Sequence, residues 1–142
     1  MPLYENEETL QKETEAIKRI ESVLRVTYKK LPIQYSLDFA AVSEDQYIDH
    51  WAEIKCRQFE STRYREYVLS FEKILKAREL SSSTGLPSYL FLTFTDGVSL
   101  KTRIDDVDDW QPKWGGRTKQ TRRRADIHPV VMIPSKWFDR IC

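Results

Sequence analysis

The stretch Trp51-Ala52-Glu53-Ile54-Lys55-Cys56 has the period of a strand, and its two faces differ in kind. Side chains alternate along a strand, so Ala52, Ile54 and Cys56 share an apolar face, while Trp51, Glu53 and Lys55 share the other. An acid and a base two residues apart on one face can serve one site. Just upstream, Tyr35-Ser36-Leu37-Asp38-Phe39-Ala40-Ala41 carries a single acid inside an apolar run. A hairpin turning through Ser43-Glu44-Asp45-Gln46-Tyr47 would set Asp38 alongside Glu53.

Such a pair needs compensation. A carboxylate in an apolar strand is costly to bury, and two side by side disfavour joint ionisation. A divalent cation resolves the conflict, and hard oxygen donors suit Mg²⁺ or Mn²⁺. Lys55 is then placed to orient a water and to stabilise charge building on a phosphate.

Outward from this pair the pattern is α/β. Over residues 7–24, Leu10, Ile17, Ile20 and Leu24 recur at helical spacing, with Glu13 in the middle of that apolar face and Glu15 opposite it. Strands are expected at 26–30, 33–42 and 47–57, with Pro32 and Ser43-Glu44-Asp45 as turns. A second helix is expected from Ser61 or Thr62 to Leu80, with Tyr64, Tyr67, Val68, Phe71, Ile74 and Leu75 on one face and Ser81 to Gly85 stopping it. Two further strands, 89–94 and 98–104, flank the hairpin signal Asp96-Gly97. Residues 105–128 read as a long charged loop or arm, and Val130 to Ile133 as a last strand. The expectation is one domain over 1–142, a mixed central sheet flanked by helices.

Bulk properties narrow the chemistry. A chain of 142 residues with 40% hydrophobic and 32% charged residues can bury a core without staples. No apolar run is long enough for a membrane span, and the N-terminal stretch is acidic where a signal peptide is basic, so a cytoplasm is expected, the host's if the chain is viral. Two cysteines, Cys56 and Cys142, make no disulfide framework. Two histidines, His50 and His128, leave a zinc site short of ligands. Cys56 reads as a small buried strand residue and His50 as structural. Net charge is only +1, but Arg117, Lys119, Arg122, Arg123 and Arg124 form a basic strip suited to a phosphate backbone. Trp110 and Trp114 beside it could stack on unpaired bases or pack on the core. Arg78 is expected to cap the second helix, and Lys101 and Arg103 to be exposed strand residues or phosphate contacts.

Asp38 followed, after fourteen intervening residues, by Glu53-Ile54-Lys55 resembles the PD-(D/E)XK nuclease superfamily, in particular its small phage-type or Holliday-resolvase-like members. The resemblance covers about residues 7–104. It implies a restriction-endonuclease-like core in the order αβββαβ, with Asp38 and Glu53 as metal ligands, the Ile54 carbonyl as a further ligand, and Lys55 as the catalytic lysine. Many members add a glutamate from the first helix; Glu13 is the match and Glu21 the second choice. Leu37 stands where the motif has proline. The stretch Trp114-Gly115-Gly116-Arg117, followed by a proline-bounded strand, is similar to the ends of small tailed-phage proteins. The implied activity is hydrolysis of DNA phosphodiester bonds with Mg²⁺, or Mn²⁺ in its place. RNA, endo- versus exonuclease action and oligomeric state, a dimer included, stay open. Two other readings compete: a non-catalytic nucleic-acid-binding module on the same fold, and a protein-interaction domain. The intact Glu53-Ile54-Lys55 favours catalysis over the first, and the basic strip favours nucleic acid over the second.

Overall fold

The computed structural model describes residues 7–106, 111–116 and 127–142, with side chains at 11–106, 111–115 and 128–142. Helix α1, Glu7–Leu24, buries Ile20 and partly buries Ile17 and Leu24 of the expected stripe, Leu10 having no described side chain, and ends where Arg25 turns into a left-handed conformation (φ 58°). Strands β1 (Thr27–Lys30), β2 (Phe39–Val42) and β3 (Ile48–Cys56) form an antiparallel meander. A strand β4 (Glu66–Ser70) then leads into helix α2 (Phe71–Thr84), followed by β5 (Ser88–Thr93) and β6 (Ser99–Arg103). Strands β7 (Lys113–Gly116), β8 (Ile127–Pro134) and β9 (Asp139–Arg140) complete the described chain.

The central sheet has six strands in the order β1-β2-β3-β5-β6-β9, and a second sheet has three in the order β4-β8-β7. Only β3 and β5 run parallel, so the central sheet is mixed, and α2 lies on the crossover between them. On one face of the sheet, Ile20 of α1 packs with Tyr28, Ala41, Ala52, Ile54 and Phe91. On the other, Ile74 and Ala77 of α2 pack with Ala40, Trp51, Leu90 and Leu92, together with Tyr67, Leu69, Val131 and Ile133 of the second sheet. The alternation expected of β3 is therefore present: Ala52 and Ile54 face α1, whereas Trp51 and Glu53 face α2. No helix among the described residues is long and apolar enough to cross a membrane.

Several expectations need correction. The strand expected at 33–42 begins only at Phe39, because Ile33–Tyr35 form a short 3-10 turn after Pro32, so Asp38 lies just before β2 and not within it. The second helix starts at Phe71, not near Ser61, because Tyr67 and Leu69 point inward while Glu66 and Val68 point out, and Tyr67 pairs with Ile133 of β8. Tyr64, Val68 and Leu75, all exposed, share no buried face with Tyr67, Phe71 and Ile74. The helix runs on to Thr84, where left-handed Gly85 (φ 75°) donates its N–H to the Ser81 carbonyl at 2.7 Å; Arg78 thus lies before the last turn, which holds no base. Residues 113–116 and 127–128, expected in a loop, belong to paired strands β7 and β8.

Candidate active site

The antiparallel register of β2 and β3 begins with Phe39 opposite Ala52. Asp38 is the residue before the first and Glu53 the residue after the second, so the two acids meet at the fork where β2 leaves β3. They differ sharply in exposure. The Glu53 side chain is 3% exposed and that of Asp38 31%. Lys55, on the same face of β3, puts its Nζ 3.6 Å from Glu53 Oε2. Lys30, from β1, stands 3.9 Å from Asp38 Oδ1.

A fourth group comes from α2. Lys73 Nζ is 3.3 Å from Glu53 Oε1 and donates a hydrogen bond to the Ser36 carbonyl. Trp51, two residues before Glu53, donates its indole N–H to Thr84 Oγ1 at 3.2 Å. These contacts lay α2 antiparallel over β3, with the start of the helix at the carboxylate. The sequence gives no local cue to Lys73, since Glu53 lies twenty residues upstream.

The electrostatics are in conflict. Burial pushes the Glu53 carboxyl above its usual range, the Asp38 charge pushes the same way, and Lys73 and Lys55 pull it back. Glu53 Oε1 is fully buried, and the ammonium facing it does not make a well-aligned hydrogen bond. An oxygen of this kind, beside a second carboxylate, fits a hard divalent cation.

The other expected residues fall as follows. Ile54 lies opposite Phe91 in the parallel β3–β5 ladder, its side chain in the α1 core. Glu13 is on α1, against the other face of the sheet, where its charge raises the Cys56 thiol after burial and alongside Arg19 and Arg57 acting oppositely. Among the described residues no three acidic, histidine or cysteine side chains cluster closely enough to hold a metal, so Glu13 is not brought to Asp38 and Glu53. Glu21 is engaged elsewhere, accepting the Tyr28 amide at 2.8 Å. Cys56 is half buried, not fully. Arg103 is held by Asp105 at 2.9 and 3.0 Å, and Lys101 lies over the Tyr89 ring. Trp114 is 72% exposed on β7. Trp110 and the strip Arg117, Lys119, Arg122, Arg123 and Arg124 lie outside the described residues. A cleft of about 210 Å³ beside Cys56, lined by Lys12, Arg19 and Arg57 among others, adds cations that no sequence motif singled out.

No curated protein matches the chain. The chain is similar in structure to Hjc of Archaeoglobus fulgidus, a Holliday junction resolvase from an archaeal hyperthermophile, with a TM-score of 0.53 at 12% identity over 88% of this chain and 85% of that one. At that identity the likeness concerns the fold, which is restriction-endonuclease-like. The model of one family, described as "Phage putative PDDEXK endonuclease", matches residues 1–141. The chain belongs to this PD-(D/E)XK nuclease family of phages.

Proposed function

We propose that this protein is a metal-dependent deoxyribonuclease that hydrolyses phosphodiester bonds at the fork between β2 and β3. The observation that carries the reading is the buried Glu53 Oε1 beside Asp38, with the Lys55 ammonium at the same carboxylate. Asp38, Glu53 and the Ile54 carbonyl would hold the ion; Glu13, which faces Cys56, is left out of this set. Bound there, Mg²⁺ or Mn²⁺ would polarise a phosphate oxygen and make a bound water more acidic.

The remaining chemistry belongs to the chain. Lys55, one third exposed, reaches from Glu53 into solvent, where it can orient the attacking water and stabilise charge on the phosphate. Asp38 is open to the same solvent and closes the other side of the fork. The basic strip, Arg117, Lys119, Arg122, Arg123 and Arg124, would grip the DNA backbone.

The test incubates purified protein with labelled linear, nicked, single-stranded and branched DNA, with RNA in parallel, in Mg²⁺, Mn²⁺ or chelator. Cleavage that requires a divalent ion and disappears in Lys55→Ala supports the reading. Salt-sensitive binding with no cleavage of any substrate would leave a nucleic-acid-binding module in its place.

A further inference from the structure

We propose that Lys73 is the resident counter-ion of Glu53 and that a divalent cation must displace it to bind. This inference rests on the metal-dependent reading above. A carboxylate as buried as Glu53, with Asp38 as its neighbour, demands a positive partner whenever no metal is bound. Lys55 takes Oε2, and Lys73 stands at Oε1, the atom that lacks a well-aligned hydrogen bond.

The placement of Lys73 is costly for the helix. It is the third residue of α2, in the first turn, where the helix dipole favours acids and disfavours cations. The Glu53 charge offsets that penalty. Lys73 also donates to the carbonyl of Ser36, which lies two residues ahead of Asp38 and is the left-handed cap (φ 60°) of the short turn Ile33–Tyr35. One ammonium thus ties together the two segments that carry the carboxylates. A metal ion shared by Asp38 and Glu53 would make the same tie. Two cations cannot share Oε1 without strong repulsion, so their occupancies exclude one another.

The experiment measures Mn²⁺ and Ca²⁺ binding to the full-length protein by calorimetry, without DNA, for wild type and Lys73→Met. Removing the competitor is expected to tighten binding about tenfold, within the usual range of coupled sites, and to lower the melting temperature of the metal-free protein. A second measurement uses wild type alone: Ca²⁺ should raise acetylation of Lys73 in peptide mass spectra, with Lys76 as internal control. This decides the matter if the variant does not fold. Unchanged or weaker binding in Lys73→Met, or Lys73 labelling that Ca²⁺ leaves unchanged or lowers, overturns the proposal. If wild type binds the ions and only these effects are missing, the metal site stands and Lys73 is merely structural. If neither protein binds either ion, the metal-dependent reading falls with it.

Discussion

Phe39 and Ala52 face each other across the β2–β3 hairpin, and this pairing sets where the carboxylates stand. A slip of one residue would turn Asp38 away from Glu53 and expose the face that now packs on α1. The register is held at the turn, where Ser43 and Tyr47 are joined through the Ser43 amide and Gln46 adopts φ 71°. A left-handed residue other than glycine costs about 1–2 kcal/mol, of which glycine's greater unfolded freedom returns about 0.5–1. Gln46→Gly is therefore expected to stabilise the protein by about 0.5 kcal/mol, as read by urea denaturation.

Asp38→Asn should separate stability from activity. It removes the charge that opposes ionisation of Glu53, at the expense of an exposed contact with Lys30 that is worth little. We expect the metal-free variant to melt about 1–3 °C higher and to cut DNA at least about a hundredfold more slowly. Melting curves in chelator and cleavage rates in Mg²⁺ check the two halves.

On the α1 side, His50 is buried between Asp49 and Tyr28. The Asp49 carboxylate accepts from Nδ1 at 2.9 Å, so Nε2 is left to accept the Tyr28 hydroxyl proton at 2.7 Å. Burial lowers the His50 pKa below its usual 6.5, against the pull of Asp49. The folded state then takes up its proton later than the unfolded state as pH falls. The His50 contribution is complete above about pH 6.5 and is lost below it, by at most about 1.4 kcal/mol per pH unit until the folded value is reached. Wild type should lose more stability between pH 7.5 and 5.5 than His50→Asn does, measured by urea titration at both values.

Replacing Arg117, Lys119, Arg122, Arg123 and Arg124 with glutamine should weaken DNA binding most at low salt. Each lost phosphate contact lowers the slope of log affinity against log salt by about 0.9, so the five together lower it by up to about 4.5. Binding isotherms from 50 to 300 mM salt give the slope directly. An unchanged slope would place the phosphate contacts elsewhere, with Lys12, Arg19 and Arg57 as the first alternatives.

How much of this was legible in the sequence depends on distance along the chain. Helix α1 and the β2–β3 hairpin are local, so spacing alone recovers Glu7–Leu24 and the juxtaposition of Asp38 with Glu53. Strand β4 was hidden because Tyr64, Tyr67, Val68, Phe71 and Ile74 also fit a helical period. What makes it a strand is β8, more than fifty residues downstream. Strand β7 was hidden in the same way. Glu13 shows a different limit of the sequence: helical phase tells which side of α1 faces the sheet, and not which face of the sheet receives it. Lys73 carried no signal, because its purpose exists only once α2 lies over β3.

The parallel pairing of β3 with β5 has a consequence for timing. On a ribosome, the hairpin with Asp38 and Glu53 is made well before residues 71–93, which supply the covering helix and the parallel neighbour. Until then Glu53 lies in water without Lys73. Parallel partners joined by a long crossover are also slow to find each other. The buried carboxylate, with its competing cations, is thus a late product of synthesis, and the nascent chain carries its acids for some time before it has a site.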